Sequence, residues 1–224
     1  MSDNKSSYNS FEYDNKINTT LPYYEEFHRQ VIDMIRAMDF HKIKWLDTGC
    51  GTGKTARKAL EELGGVDIDF TLCDISNEML SIARDILGDN GITYRNISSQ
   101  ELDYSEQFDV VTAIQCHHYL SGTERKMAVE KCYNALKENG IFIAFENIRL
   151  KSDHADVIAV KRWENYMISN GKTEQEVLDH TRRRGKVVLP ITVAEHLDLL
   201  KNSGFQCVEL LWFSYMQAGF LAIK

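Results

Sequence analysis

Trp45-Leu46-Asp47-Thr48-Gly49-Cys50-Gly51-Thr52-Gly53-Lys54 decides the reading of this chain. A short apolar run beginning at Ile43 meets a carboxylate, then three glycines at alternate positions, then an apolar pattern of helical period. Glycines so spaced let a backbone turn sharply and approach a ligand without Cβ collisions. The N–H groups that open the following helix have no partner within it and face whatever is bound. The expected element is a strand–loop–helix unit that holds a nucleotide-like molecule. The bland alternative is that the glycines only make a tight turn, which leaves the carboxylates unexplained.

Outward from the loop, strand and helix alternate. Residues 43–47, 66–74, 91–96, 108–114 and 141–146 read as strands. Helices are expected over 54–63, 76–87 and 123–136, with Ser76 as an N-cap. That order implies a mostly parallel α/β sheet with helices on both faces. Upstream, Leu21, Tyr24, Phe27, Val31, Met34, Ile35 and Met38 have helical spacing, so residues 20–40 form an N-terminal helix or lid behind a polar tail, 1–19. Residues 147–190 read as a helical cap or insertion. A helix over 193–201 and two strand-like runs, 207–215 and 219–223, then close the chain as an antiparallel hairpin. The 224 residues are expected to form a single domain.

Composition narrows the functional classes. With 43% hydrophobic and 26% charged residues the chain reads as globular, and no apolar run reaches the length of a membrane span. No apolar signal core opens the sequence, and the five cysteines are scattered without a CxxC pair, so a cytoplasmic setting with reduced thiols is expected. A net charge of −7 argues against nucleic acid as partner. A small-molecule acceptor is the expected partner, and a homodimer is left open. No metal site is expected, because adjacent His117 and His118 cannot mimic a helical HxxxH pair.

The ligand is read from two acidic residues. Asp74 ends the second strand about 20 residues beyond the glycines, where a carboxylate commonly takes ribose hydroxyls. Asp47, just before the loop, would repel a pyrophosphate and suit a ligand that carries an ammonium group. The glycines here follow GxGxG instead of the dinucleotide GxGxxG. S-adenosylmethionine has the ammonium, the ribose and the adenine; a dinucleotide-binding dehydrogenase is the competing reading.

At these motifs the chain resembles the class I S-adenosylmethionine-dependent methyltransferases, from about Leu21 to Lys224. The resemblance implies a Rossmann-like seven-stranded sheet with the last strand antiparallel. It implies S-adenosylmethionine as methyl donor and S-adenosylhomocysteine as product. Within LDTGCGTG it assigns Asp47, Gly49, Cys50 and Gly51 to the donor; within CDISNEML, Asp74, Ile75 and Met79. Ser98 and Ser99 stand where the family often has an adenine-binding Asp, and Gln115 and His117 would lie near the donor's methionine portion and the acceptor. Both ends, LPYYEEFH and GFQCVELLWFSYMQAGFLAIK, are similar to carboxy-S-adenosylmethionine synthases, by which Tyr24 would close over the donor. Those synthases turn the methyl donor into a carboxymethyl donor using prephenate. They hold the new carboxylate with an arginine near which this chain has Thr181, followed by Arg182, Arg183 and Arg184.

Methyl transfer to an activated carbon needs mainly position and the exclusion of water. A base is needed only if the acceptor must lose a proton. His117 and His118 are the candidate bases, His117 the one assigned to catalysis, and His118, Asn147 and Arg184 are the candidate acceptor ligands. Each has a structural alternative: packing for the histidines, a turn cap for Asn147, a solvated helix end for the arginine run. Two further functional readings stay open: a carboxy-S-adenosylmethionine synthase-like enzyme, and a non-catalytic protein that binds S-adenosylmethionine.

Overall fold

The computed structural model describes residue 6 and residues 8–224. Among them seven strands form one sheet: β1 (Lys42–Thr48), β2 (Asp67–Cys73), β3 (Ile92–Arg95), β4 (Phe108–Ile114), β5 (Leu136–Asn147), β6 (Cys207–Ser214) and β7 (Gln217–Ile223). Their order is β3-β2-β1-β4-β5-β7-β6, with β1 to β5 parallel and β7 antiparallel to both its neighbours. The expected α/β sheet and terminal hairpin are therefore present.

Helices cover both faces. In chain order they are α1 (Tyr13–Lys16), α2 (Tyr24–Ala37), α3 (Lys54–Glu62), α4 (Asn77–Leu87), α5 (Gly122–Ala135), α6 (Asp153–Ser169), α7 (Glu174–Thr181) and α8 (Val193–Asn202). Strand side chains alternate between faces. Trp45, Phe70, Val110 and Phe145 pack under α2 and α3, while Leu46, Val111, Phe142 and Phe220 pack under α5 and α8. Phe27 of α2 stacks on Phe145 with centroids 4.9 Å apart, and removing such a buried ring costs about 3–5 kcal/mol. Ser76 caps α4 as expected, its Oγ accepting from the Met79 N–H at 3.1 Å.

Three expectations need correction. The described part of the polar tail is folded: α1 and a 3₁₀ turn at Ile17–Thr19 bury Ile17, and α2 begins only at Tyr24. Residues 136–140, expected to end a helix and turn, already belong to β5, with Leu136 paired to Phe108 and a bulge between Phe108 and Val110. β7 starts two residues earlier than expected, at Gln217. The cap region is helical, as read, in α6 and α7, and its Trp163, Met167 and Val177 join the α2–α3 core.

This topology places the site. The chain runs outward from β1 to β3 on one side and from β4 to β5 on the other. The carboxyl ends of β1 and β4 therefore part, and such a switch point is where open α/β sheets bind ligands.

Candidate functional site

A cavity opens at this switch point, walled by the loops after β1, β2, β3 and β4 and by Tyr13 of α1. Two glycines shape its floor. Gly49 has φ +66°, and a Cβ there would lie 2.4 Å from Cβ of Cys116, so the loop can touch the β4 loop only without a side chain. Gly51 has φ +55°, but a Cβ on it would meet nothing within 4 Å. Its bare backbone faces open cavity, as a ligand cradle requires.

Asp74 ties this loop to the next. Its Oδ2 accepts from Gly51 N–H at 2.9 Å and its Oδ1 from Ser76 N–H at 2.8 Å, while its edge lines the cavity. Ile75 lies half-exposed on the wall and Met79 is buried beside it. Ser98 and Ser99 also line the cavity. Ser98 Oγ is engaged with Glu101 at 2.7 Å; Ser99 Oγ meets Thr48 Oγ1 at 2.8 Å and His117 Nε2 at 3.1 Å. Gln115, in left-handed conformation with φ 58°, is clamped by its amide to Phe145 O at 3.1 Å and Gln217 Oε1 at 2.8 Å.

Asp47 lies beneath the loop and not on the cavity wall. Its Oδ1 accepts from Thr112 Oγ1 at 2.7 Å, and its buried Oδ2 has no partner among the described residues. Burial pushes its carboxyl up to about 7, with Asp74 nearby adding to the shift and the Thr112 bond opposing it. An orphaned buried carboxylate oxygen and an open glycine cradle fit a donor that carries positive charge. Cys50, by contrast, turns into the apolar layer under α2 and α3 and leaves the wall. Tyr24 is likewise core, its ring edge-on to Tyr13, Phe27 and His28. Tyr13, in the segment read as tail, faces the cavity where Tyr24 does not. Its signal was the spacing Tyr13, Ile17, Leu21, apolar at every fourth residue.

A second cavity adjoins the first and shares Ser6, Tyr13, Gln115 and Tyr119 with it. Its remaining wall comes from β5, the cap and the N-terminal segment, and brings together His118, Asn147 and Arg184. Arg184 is largely committed: Nη1 donates to Asn147 Oδ1 at 2.7 Å, and Nη2 reaches both Asp156 oxygens at 3.2 and 3.3 Å. Arg183, from the arginine run noted in the sequence, lies on the same wall. The loop after β4 is held rigidly by buried Arg125, whose guanidinium donates to His117 O and Leu120 O at 3.1 Å each, and to Leu189 O. Among the described residues no three His, Cys, Asp or Glu side chains gather as a metal site.

The two histidines part company. His117 points to the α5–α8 side, near-parallel to the Phe142 ring with centroids 6.3 Å apart, and lines neither the first nor the second cavity. Burial pulls its imidazole down to about 4. It braces Ser99, and the expected placement of His117 as catalytic base is corrected. His118 faces the second cavity and is gripped by Glu146, whose Oε2 lies 2.7 Å from Nδ1. Glu146 also accepts the backbone N–H groups of His117 at 3.1 Å and His118 at 2.9 Å. Burial works against ionisation of Glu146, yet the His118 bond and the neighbouring imidazoles hold its carboxyl well below the usual range.

Residues 46–140 match the family described as Methyltransferase domain. Over 95% of this chain and 90% of its own length, the carboxy-S-adenosyl-L-methionine synthase of Nautilia profundicola is 24% identical. The synthase of the same name from Wolinella succinogenes is 27% identical over 95% of this chain and 89% of its own. Among solved structures, human N-acetylserotonin methyltransferase in complex with SAM superposes with a TM-score of 0.62 at 17% identity, covering 95% of this chain and 57% of that one. The matched segment runs from Leu46 of the glycine-loop strand to Gly140 and so contains most of the first cavity's wall. That segment, the reversed sheet order and the glycine cradle agree: residues 46–140 match a methyltransferase domain, and the chain as a whole has the fold of the S-adenosylmethionine-dependent methyltransferases it resembles.

Proposed function

We propose that this protein transfers the methyl group of S-adenosylmethionine to a small acceptor held in the second cavity. The observation that carries the reading is the shared wall. A donor laid across Asp74 and the glycine cradle directs its methionine end toward Gln115, Tyr13 and Tyr119, which also bound the second cavity. In this reading Asp74 takes the ribose, Ile75 and Met79 flank the adenine, Ser98 and Ser99 lie at its polar edge, and Asp47 draws the donor's positive charge through the loop. The chain's own contribution is position: bound reactants reach effective molarities of about 10⁵–10⁸ M.

The test is a thermal-shift titration with S-adenosylmethionine, S-adenosylhomocysteine and NAD. A ligand that binds only the folded state at one hundred times its Kd stabilises it by about 2.7 kcal/mol. Stabilisation by the first two is expected; stabilisation by NAD alone refutes the assignment.

A second reading is favoured by the length of the match to the two synthases, 95% of this chain in each case. A carboxylated donor needs a cation beside its sulfonium substituent. Thr181, the residue near the synthase arginine by alignment, ends α7, whereas Arg183 and Arg184 reach the second cavity. Mass spectrometry of the ligand that copurifies with the protein separates the two readings: a carboxylated donor identifies the synthase-like activity, and the unmodified donor or its homocysteine product the methyltransferase.

A further inference from the structure

His118 and Glu146 form a buried pair at the wall of the second cavity, and the pair is built asymmetrically. Glu146 receives three N–H groups: the backbone donors of His117 and His118, and His118 Nδ1. A carboxylate so surrounded stays ionised. It therefore takes the Nδ1 proton as a hydrogen bond and fixes the imidazole in one tautomer, with the lone pair on Nε2. Among the described residues nothing bonds Nε2, and this nitrogen is absent from the buried side-chain atoms left without a partner. It is thus open to the cavity that His118 lines. The backbone holds the ring as well: His118 O accepts from Leu189 N–H at 2.7 Å, and Arg125 fixes the loop on both sides. A contact of 3.4 Å from Asn147 N–H to Nδ1 is the weaker one and is incompatible with a proton on Nδ1.

From this arrangement we infer that His118 is the catalytic base of the second cavity, with Glu146 as its positioning residue, and that the acceptor is a protic nucleophile: a hydroxyl or an amine that sheds a proton. The inference rests on the methyl-transfer reading. In the step, the acceptor's lone pair forms the bond to the methyl carbon while the carbon–sulfur bond breaks. The sulfonium sulfur keeps that electron pair and becomes a neutral thioether. The acceptor proton passes to His118 Nε2. Positive charge thus moves from sulfur to the imidazolium, where the Glu146 carboxylate balances it. Such a base typically contributes 10²–10⁴-fold.

Two measurements test it on the full chain. In ¹⁵N-histidine-labelled protein saturated with S-adenosylhomocysteine, His118, identified by loss of its resonance in H118Q, should show a protonated Nδ1 and a bare Nε2. In E146Q this preference should disappear. A bare Nδ1 in the wild type overturns the proposal. In the second, tritiated S-adenosylmethionine is offered with a pool of small phenols, hydroxy acids, primary amines, tertiary amines and thioethers. Label should enter only acceptors with an ionisable proton. H118Q should lose about 10²–10⁴-fold in kcat while the Kd for S-adenosylhomocysteine is unchanged. Labelling confined to tertiary amines or thioethers, or full turnover by H118Q, overturns the proposal. If the wild type binds neither S-adenosylmethionine nor its product, the methyl-transfer reading fails, whereas the histidine tautomer is still read on the unliganded protein.

Discussion

Asp47 carries two opposed demands in one side chain. The isolated chain must keep a carboxyl buried with one oxygen unbonded, and burial raises its pKa to about 7. An unfolded aspartate titrates near about 3.9. The folded state therefore binds this proton more tightly than the unfolded state does. Its contribution to stability is full below about pH 4 and is lost as pH rises through about 7. Asp47→Asn removes that penalty, and its Oδ1 can still accept from Thr112. Urea unfolding at pH 8 should find D47N more stable than the wild type by about 1–3 kcal/mol, with no gain at pH 4. Calorimetry should find its S-adenosylmethionine affinity lower. Equal stability of the two chains at pH 8 would show that Asp47 is ionised without cost. In the wild type a bound cationic donor drives the proton off, so binding near pH 7 should release protons in proportion, visible as a buffer-dependent binding enthalpy.

At the scale of elements, the glycine loop divides its labour between packing and contact. Gly49→Ala drives a methyl into Cys116 at a left-handed residue and should lower the melting temperature of the unliganded chain. Gly51→Ala has open space ahead of it and should mainly obstruct the ligand, weakening S-adenosylhomocysteine by tenfold or more, about 1.4 kcal/mol. A loop whose two variants lost affinity and stability in equal measure would not be divided in this way. The N-terminal segment is the second functional element. Thr52 Oγ1 donates to Asp14 at 3.0 Å, and Thr20 O accepts from Trp163 Nε1 at 2.6 Å, so the segment is strapped to the loop at one end and to α6 at the other. Tyr13→Ala should weaken S-adenosylhomocysteine by roughly tenfold in calorimetry, with the circular dichroism spectrum unchanged; full affinity would remove the strap from the donor site.

The alternation of strands and helices and the glycine loop were legible because period and spacing are local properties. Other features were not. Leu136 to Gly140 has helical composition up to an Asn-Gly pair, and its place in β5 comes from pairing with Phe108, which is distant in sequence. The neighbours His117 and His118 point to opposite sides of the sheet edge, and spacing alone cannot tell which reaches a cavity. The arginine run reads as solvent-facing until Asp156, 28 residues earlier, is brought against Arg184.

For the molecule as a whole, the sheet is closed on one side by a hairpin that also reaches the site. Gln217 of β7 holds the amide of Gln115 at 2.8 Å, so the register of the last strand sets the junction between the two cavities. Tyr13, Gln115 and Tyr119 belong to both rooms at once. Their positions with the donor bound are the positions an acceptor meets, and the reverse is equally true. Occupancy of the two rooms is therefore one equilibrium with a single coupling free energy. By whatever factor S-adenosylhomocysteine changes the acceptor's dissociation constant, the acceptor must change that of S-adenosylhomocysteine by the same factor.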